Sequence, residues 1–572
     1  MSSSVSLFRD TCNVYILRSG ADAVLVDFGD GDVLDHLGAL DVERVTDVLL
    51  THHHRDSLGG LRRAVDAGIR IWAPPYDADL IADATGHWLR RPIDIDYDLR
   101  EDRFSLLESV PITGTVAEYR TTRVGGIDVF ALPTPGHTPG SLTYVVEADG
   151  RKLAFSGDLV YGDGMVWSLA ATQWSYSGVE GQESTIVSCA RLATLEPDVL
   201  LPAHGELIED PPATLATVRE RVGELVALRL GQPSGVEDRL ADPFDEITPH
   251  LLRNRTTFAN SYLLVSESGA ALGIDFGYDM ATWRRPLLWS LDSVDVEAVV
   301  VTHFHDDHVA GLNLLRALNG TEVWTAEHIA PVLEDPKRFD LPCLWPEPIA
   351  VDRALPLETP IAWHEYELTV YPLPGHTYFA CAIAFEVDGR RVVAIGDQYT
   401  PTALNYQYRN RFERHDFVQT GELLRRLQPD LLIGGHFFPH EVEEGYLDSL
   451  VTDAHRLAEL HDELLPAEGF GERGFGAWIE PYRSTVAPGG AVSLDVTVKN
   501  PFGRGETATV RLVLPEGWSA APETHEVELN PGGEAVVTFD VAAGSVSGRI
   551  SAELTVGERR FGQQAEALVY VR

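Results

Sequence analysis

The stretch Thr302-His303-Phe304-His305-Asp306-Asp307-His308 constrains this chain more than any other. An apolar run, residues 296–301, precedes it, broken only by Glu297, and a helical pattern follows in Leu312, Leu315 and Leu318. Three imidazoles and two carboxylates are thus crowded into a loop between a strand and a helix. Histidines two apart on an extended backbone point the same way. His303 and His305 can therefore hold one metal from one side. Asp307 and His308, where the chain turns, reach a second metal nearby. Imidazole and carboxylate suit zinc, and also iron and manganese. A solvated polar loop that binds nothing is the plain alternative, and the density of ligand types argues against it.

The pattern occurs twice. In the first half an apolar strand, residues 45–50, leads into Thr51-His52-His53-His54-Arg55-Asp56-Ser57. Strands ending in Asp27-Phe28-Gly29, Pro135-Gly136-His137-Thr138, Gly157-Asp158 and Ala203-His204-Gly205 recur in the second half. Their counterparts there are Asp275-Phe276-Gly277, Pro374-Gly375-His376-Thr377, Gly396-Asp397 and Gly434-Gly435-His436. One order with similar chemistry means duplication of a whole domain rather than a solenoid period. With 572 residues the chain exceeds a single core. Expected domains are residues 1–230 and 244–466, joined by a Gly-, Pro- and acid-rich linker over 231–243, and a third over 477–572.

The third region alternates apolar and polar residues over 491–498, 507–514 and 535–541, with turns at Pro488-Gly489-Gly490 and Pro531-Gly532-Gly533. This predicts an antiparallel β-sandwich. It holds one histidine, His525, and no ligand cluster, so it reads as a packing or binding module without chemistry. The Gly-rich join over 469–476 suggests a hinge, and a module dispensable for turnover.

The net charge of −42 argues against nucleic acid, whose phosphates bind Lys and Arg, and against anionic membrane surfaces. A small-molecule substrate is the expected partner; the oligomeric state is open. The first ten residues lack a basic-then-apolar leader, and no run reaches the roughly 20 apolar residues of a membrane helix. The expected location is the cytoplasm. Cys12, Cys189, Cys343 and Cys381 show no CxxC spacing and are expected as buried thiols.

The motif set resembles the metallo-β-lactamase superfamily, with its HxHxDH signature and separate His, Asp and His motifs. The resemblance spans about residues 9–221 and 253–465. It implies an α/β architecture of two tandem αββα sandwiches, followed by an all-β module similar to immunoglobulin-like domains. In the second half the set is complete. The resemblance assigns His303, His305 and His376 to one metal, Asp307, His308 and His436 to a second, and Asp397 as the bridge. Asp275 matches a supporting strand residue rather than a ligand. Two divalent ions are implied there, zinc first, with iron or manganese as alternatives.

The first half matches at His52, His54, Asp56, His137, Asp158 and His204 but has Ser57 where the signature ends in His. A neutral hydroxyl is a poor ligand, and Arg55 adds a positive charge that weakens cation binding. His53 should face away from its neighbours. One metal, a weak second or none all stand open for this half.

The implied activity is hydrolysis of a small carbonyl substrate (ester, thioester, lactone or amide) by a metal-activated water, with the main site in the second half. Asp307 and Asp397 are the expected catalytic carboxylates. Tyr378, Tyr399 and His440 follow ligands and stand as oxyanion donors or acids, or else as packed residues. Iron-dependent oxygen or sulfur chemistry and phosphodiester cleavage are the alternatives, with the first half as a non-catalytic partner. Long inserts over 71–126 and 323–363 carry Trp72, Trp88, Trp324, Trp345 and Trp363, candidates for a substrate pocket or for core.

Overall fold

In the first half the strand Asn13–Ser19 shows how the architecture arises. Val14 and Ile16 enter one core with the helix residues Leu61 and Ala64, whereas Tyr15 and Leu17 enter another with Val129, Tyr144 and Phe155. Period-two alternation with both faces apolar buries a strand on both sides. The same division recurs at Asp22–Val26, with Ala23 and Leu25 on one face and Val24 and Val26 on the other. Each fully buried side chain of this kind contributes about 1.5–3 kcal/mol.

The computed structural model describes residues 4–90, 102–175, 178–279, 294–400, 402–437 and 439–572. Residues 91–101 of the first insert lie outside them. The chain divides after Pro243 into two compact units. In the first, a six-stranded sheet runs in chain order from Val5–Arg9 to Gly114–Thr115, and a five-stranded sheet runs from Thr121–Val124 to Val199–Pro202. Helices Glu180–Thr194 and Pro211–Leu230 cover the outer face of the second sheet through Ile186, Val187, Leu215 and Val218. The layers are thus helix, sheet, sheet, helix. The expected linker is partly folded: a short helix, Val236–Ala241, buries Val236 in this same core.

The second unit repeats the plan with a seven-stranded sheet from Phe244–Thr248 to Arg353–Leu355 and a six-stranded sheet from Pro360–Trp363 to His440–Glu441. The helix predicted by Leu312, Leu315 and Leu318 is present at Leu312–Asn319. In both units the ligand loops leave the ends of strands, among them Arg44–Leu49 and Val296–Val301, so the buried central sheets fix their origins.

The C-terminal region is all-β, with a four-stranded and a five-stranded sheet closing on Leu494, Val496, Phe539, Val510, Leu554 and Val569. It belongs to the second compact unit. The expected hinge is tied down: Arg414 Nε donates to Glu472 Oε1 at 2.6 Å, and Arg473 pairs with Glu413 at 2.6 Å. Phe470 and Ala477 sit in the module's core. Opposite charges spaced along loops anchor this join, and Gly content alone did not reveal them.

Three of the four cysteines are buried as expected, but Cys343 is exposed. Trp324 and Trp363 are core residues. Trp345 follows Leu344, whose backbone bridges that of His305, and so lies beside the ligand loop. No helix among the described residues is long and apolar enough to cross a membrane.

Candidate metal centres

In the second unit two groups of donor atoms converge. His303 Nε2 lies 3.1 Å from His305 Nδ1, which lies 3.2 Å from His376 Nε2. Ligands about 2.0–2.1 Å from a tetrahedral zinc stand about 3.3 Å apart, so these spacings suit three ligands of one metal. Beside them His436 Nε2 lies 3.1 Å from Asp307 Oδ2 and 3.2 Å from Asp397 Oδ2. His308 Nε2 lies 3.2 Å from Asp397 Oδ1. Asp397 therefore stands between the groups, with Oδ2 also 3.7 Å from His376 Nε2 and 4.0 Å from His303 Nε2.

Neighbours set the imidazole tautomers. Asp275 accepts from the Thr302 backbone N–H (2.7 Å), from the Thr302 hydroxyl (2.6 Å) and from His308 Nδ1 (2.8 Å). Thr302 Oγ1 in turn lies 3.1 Å from His303 Nδ1. His376 Nδ1 donates to the Asn405 carbonyl at 2.9 Å. With these nitrogens carrying the hydrogen, Nε2 of His303, His308 and His376 is the atom aimed inward, the usual device for orienting metal ligands.

Burial drives His303 well below the ordinary imidazole range, His305 to about 3 and His376 downward, so all three are bare bases at neutral pH. The second group is the reverse. Burial opposes charge on His308 and His436, but Asp397, Asp307 and Asp275 push His308 well up, and bonds to Asp307 and Asp397 push His436 up to about 9. Against the effect of burial, the histidines hold Asp397 well below the carboxylate range and Asp307 below it.

The residues fit two divalent cations. His308 Nε2 and Asp397 Oδ1 are buried without a hydrogen-bond partner. A Cβ on Gly435 would meet Asp397 Oδ1 at 2.2 Å and His308 Cε1 at 2.5 Å, so only glycine lets the chain pass this close. The site opens on one side, where the His436 side chain is 39% exposed.

The first unit assembles only half of this. His54 Nδ1 lies 2.8 Å from His137 Nε2, and both lie close to His52, forming the one such group among its described residues. Burial pushes His52 to about 3 and His54 and His137 downward. Asp158 stands behind, 3.5 Å from both His52 and His137. Asp56, Asp158 and His204 do not converge as the second half's residues do. His204 Nδ1 bonds both Asp158 oxygens (2.9 and 3.0 Å), and its Nε2 lies 3.2 Å from the Thr11 carbonyl. Acceptors at both nitrogens favour the protonated form, and Asp158 raises the titration of His204 against burial. Trp167 stacks on it, centroids 4.1 Å apart. Ser57 Oγ is buried without a partner.

Two residues beside the gap, Cys12 and Asp27, differ in kind or in surroundings from their counterparts. Asn13 and Asn260 hold equivalent places, their backbone N–H groups donating to Ala203 and Gly435, so Cys12 corresponds to Ala259. The Cys12 thiol, raised by burial and by Asp27 and Asp158, stands near the counterparts of the two carboxylates that bracket His308. Asp27, without an imidazole partner, is pushed by burial up to about 7.

His53 does face away: its Nδ1 lies 2.9 Å from Asp77 Oδ2 and its Nε2 3.2 Å from the Arg103 carbonyl. Arg55 turns to the Ser105 carbonyl and the Phe104 ring. Tyr399 is a packed residue, its hydroxyl on Thr420 Oγ1 at 2.9 Å, and His440 packs on Tyr446. Tyr378 is 48% exposed. Asn410, missed by the sequence, has Nδ2 3.1 Å from His305 Nε2.

The metallo-beta-lactamase superfamily model matches residues 7–204 and 254–436. A hydroxyacylglutathione hydrolase of Aeromonas salmonicida is 26% identical over 252 residues, 42% of this chain and 82% of that protein. Thioesterase pkgB of Emericella nidulans is 28% identical over 210 residues, 36% of this chain and 48% of that protein. A metallo-beta-lactamase structure from Cronobacter sakazakii aligns at a TM-score of 0.33 and 20% identity, over 41% of this chain and 98% of that one. With both copies matched by one family model, the chain belongs to the metallo-beta-lactamase superfamily and is a metallohydrolase.

Proposed function

We propose that the second unit is a dinuclear hydrolase of small carbonyl substrates, thioesters first among them, and that the first unit holds at most one ion and assists. The observation that carries this reading is the sharing of Asp397 between two converging donor groups. Two divalent cations, zinc foremost, would supply Lewis acidity and a water acidified to near neutral pH. His303, His305 and His376 would hold one; Asp307, His308 and His436 would hold the other.

The chain's own residues do the rest. Asp275 locks His308 and, through Thr302, His303. Asp307, kept ionised by His308 and His436, sits 13% exposed at the open side and is placed to take a proton and pass it to the leaving group. Tyr378, exposed and two residues after His376, is the candidate hydroxyl donor to the carbonyl oxygen. The names of two relatives, a hydroxyacylglutathione hydrolase and a thioesterase, support a thioester over other acyl groups.

The test is a panel of thioesters, esters, lactones and phosphodiesters, run with metal analysis before and after chelation. The expected result is preferred thioester turnover, lost with the metals and restored by zinc. Preferred phosphodiester cleavage, or dioxygen consumption with iron, would replace this reading.

A further inference from the structure

We propose that Asn410 is a positioning residue for His305, and that the C-terminal all-β module holds Asn410 in place through Glu480. The proposal rests on reading His303, His305 and His376 as a metal site.

A neutral imidazole has one N–H, and a ligating nitrogen must be bare. His305 directs Nδ1 at His303 Nε2 and His376 Nε2, so its hydrogen belongs on Nε2. That hydrogen needs a buried acceptor, because a buried donor left unmet loses its water without gaining a partner. The other two imidazoles have theirs, in Thr302 Oγ1 and the Asn405 carbonyl. For His305 the neighbour is the Asn410 amide, 1% exposed, whose Nδ2 lies 3.1 Å from Nε2 and whose Oδ1 has no partner. A half-turn of the amide exchanges the two atoms and places the oxygen on the Nε2 hydrogen. Asn410 thereby completes the set of three. Among the described residues the first unit has no such set: His54 Nε2 and His137 Nδ1 are buried without partners there.

Asn410 ends a short turn, Tyr408–Asn410, and its carbonyl accepts the Tyr378 N–H at 3.0 Å. The next residue, Arg411, has φ of 60°, a region L side chains enter at a cost. Its guanidinium donates to Glu480 Oε1 at 2.5 Å and lies over Phe379 and Phe339 at 5.1 and 5.6 Å. Glu480, at the end of the module's first strand Ala477–Glu480, also accepts Arg338 Nε at 3.2 Å. Just beyond, Glu413 and Arg414 pair with Arg473 and Glu472. The segment carrying Asn410 is therefore clamped between the module and the ligand, and the module is not dispensable for the centre.

The experiment uses full-length protein, with cobalt(II) as spectroscopic probe of the three-histidine site and zinc affinity from chelator competition. Asn410→Leu should weaken that site about 10–100-fold and alter its cobalt spectrum. Asn410→Asp should keep or tighten the parental affinity, because a carboxylate accepts the same hydrogen. Glu480→Gln should weaken the site about twofold to thirtyfold, with no further loss when combined with Asn410→Leu. Parental affinity in a folded Asn410→Leu protein overturns the role of Asn410, as does equal loss in the Asp and Leu variants. Unchanged affinity in Glu480→Gln overturns the role of the module. Failure of the parent itself to bind cobalt at the three histidines sinks the reading of the centre, and this proposal with it.

Discussion

The two lactamase copies share a sheet plan and a three-histidine cluster, yet they solve one electrostatic problem differently. In the second copy the buried Asp397 faces His308 and His436 with a gap for a cation. In the first copy both Asp158 oxygens are engaged by His204 Nδ1, and Trp167 covers that ring. A buried carboxylate must be compensated, by a metal or by a cation of the chain itself. The comparison teaches that, with Ser57 in place of the histidine, His204 turns onto Asp158 while Asp27 is left with Thr51.

The largest contrast should appear in turnover. Asp397→Ala removes the group shared by both donor sets and should lower hydrolysis by more than about 100-fold, since even outer partners of metal ligands carry about 10–100-fold. Asp158→Ala should lower it by less than about tenfold. Rate measurements on the same thioester decide the matter, and equal losses would show that the first copy is no silent partner.

Metal content comes next. Ser57→His restores the missing imidazole, and Cys12→Ala restores the small residue that Ala259 provides in the second copy. The double variant should gain about one zinc per chain over the parent, because Asp56, Asp158 and His204 are already on the fold. Ser57→His alone should gain less. An unchanged metal count in a folded double variant would mean that His204 does not leave Asp158.

The candidate ligands that the structure brings together were legible because motif spacing and strand alternation place them without knowledge of the rest of the chain. His303 and His305 face inward while the residue between them, Phe304, enters the core, as period two demands. What compensates Ser57 was not legible. Cys12 and Trp167 reach the site from loops some 45 and 110 residues away in sequence, and neither has a periodic or motif signal. Asn410 was hidden for the same reason. The ion pairs at the join of the third region were not legible either, because glycines spaced over 469–476 suggest freedom, while the Arg and Glu residues that meet there are scattered along two loops.

Proton release should separate the donor groups within the second copy. His436 titrates at about 9 and His308 well above its ordinary value, so both are protonated at pH 7 without metal. A cation entering there must displace about two protons. Binding at His303, His305 and His376, all depressed, should release almost none. Calorimetric zinc titration in buffers of different ionisation enthalpy measures this. Affinity of the second group should accordingly rise with pH up to about 9 and that of the first should stay nearly flat above pH 6 or so. Equal proton counts for the two steps would contradict the assignment.

The smallest expected effect concerns Asp27 and its counterpart Asp275. Asp275 has an imidazole partner in His308; Asp27 keeps only Thr51, which donates its backbone N–H at 2.9 Å and its hydroxyl at 2.9–3.0 Å. Burial accordingly raises Asp27 to about 7. The unfolded chain releases this proton near pH 4 and the folded chain holds it to about 7, so below pH 4 the residue is neutral stability-wise. Between pH 4 and 7 the folded state binds more protons than the unfolded one, and stability falls as pH rises. At pH 8 the charged Asp27 therefore costs the first unit on the order of a few kcal/mol. Asn at this position stays neutral and can still accept from Thr51. Asp27→Asn should raise the melting temperature of chelator-treated protein at pH 8 by a few degrees, with little change at pH 4. Asp275→Asn should do the opposite at pH 8, because it strips the raised His308 of a carboxylate partner. Differential scanning calorimetry at the two pH values reads both variants. Stabilisation by Asp275→Asn as well would mean that the two aspartates are equivalent, and that the lost histidine left no electrostatic trace in the first copy.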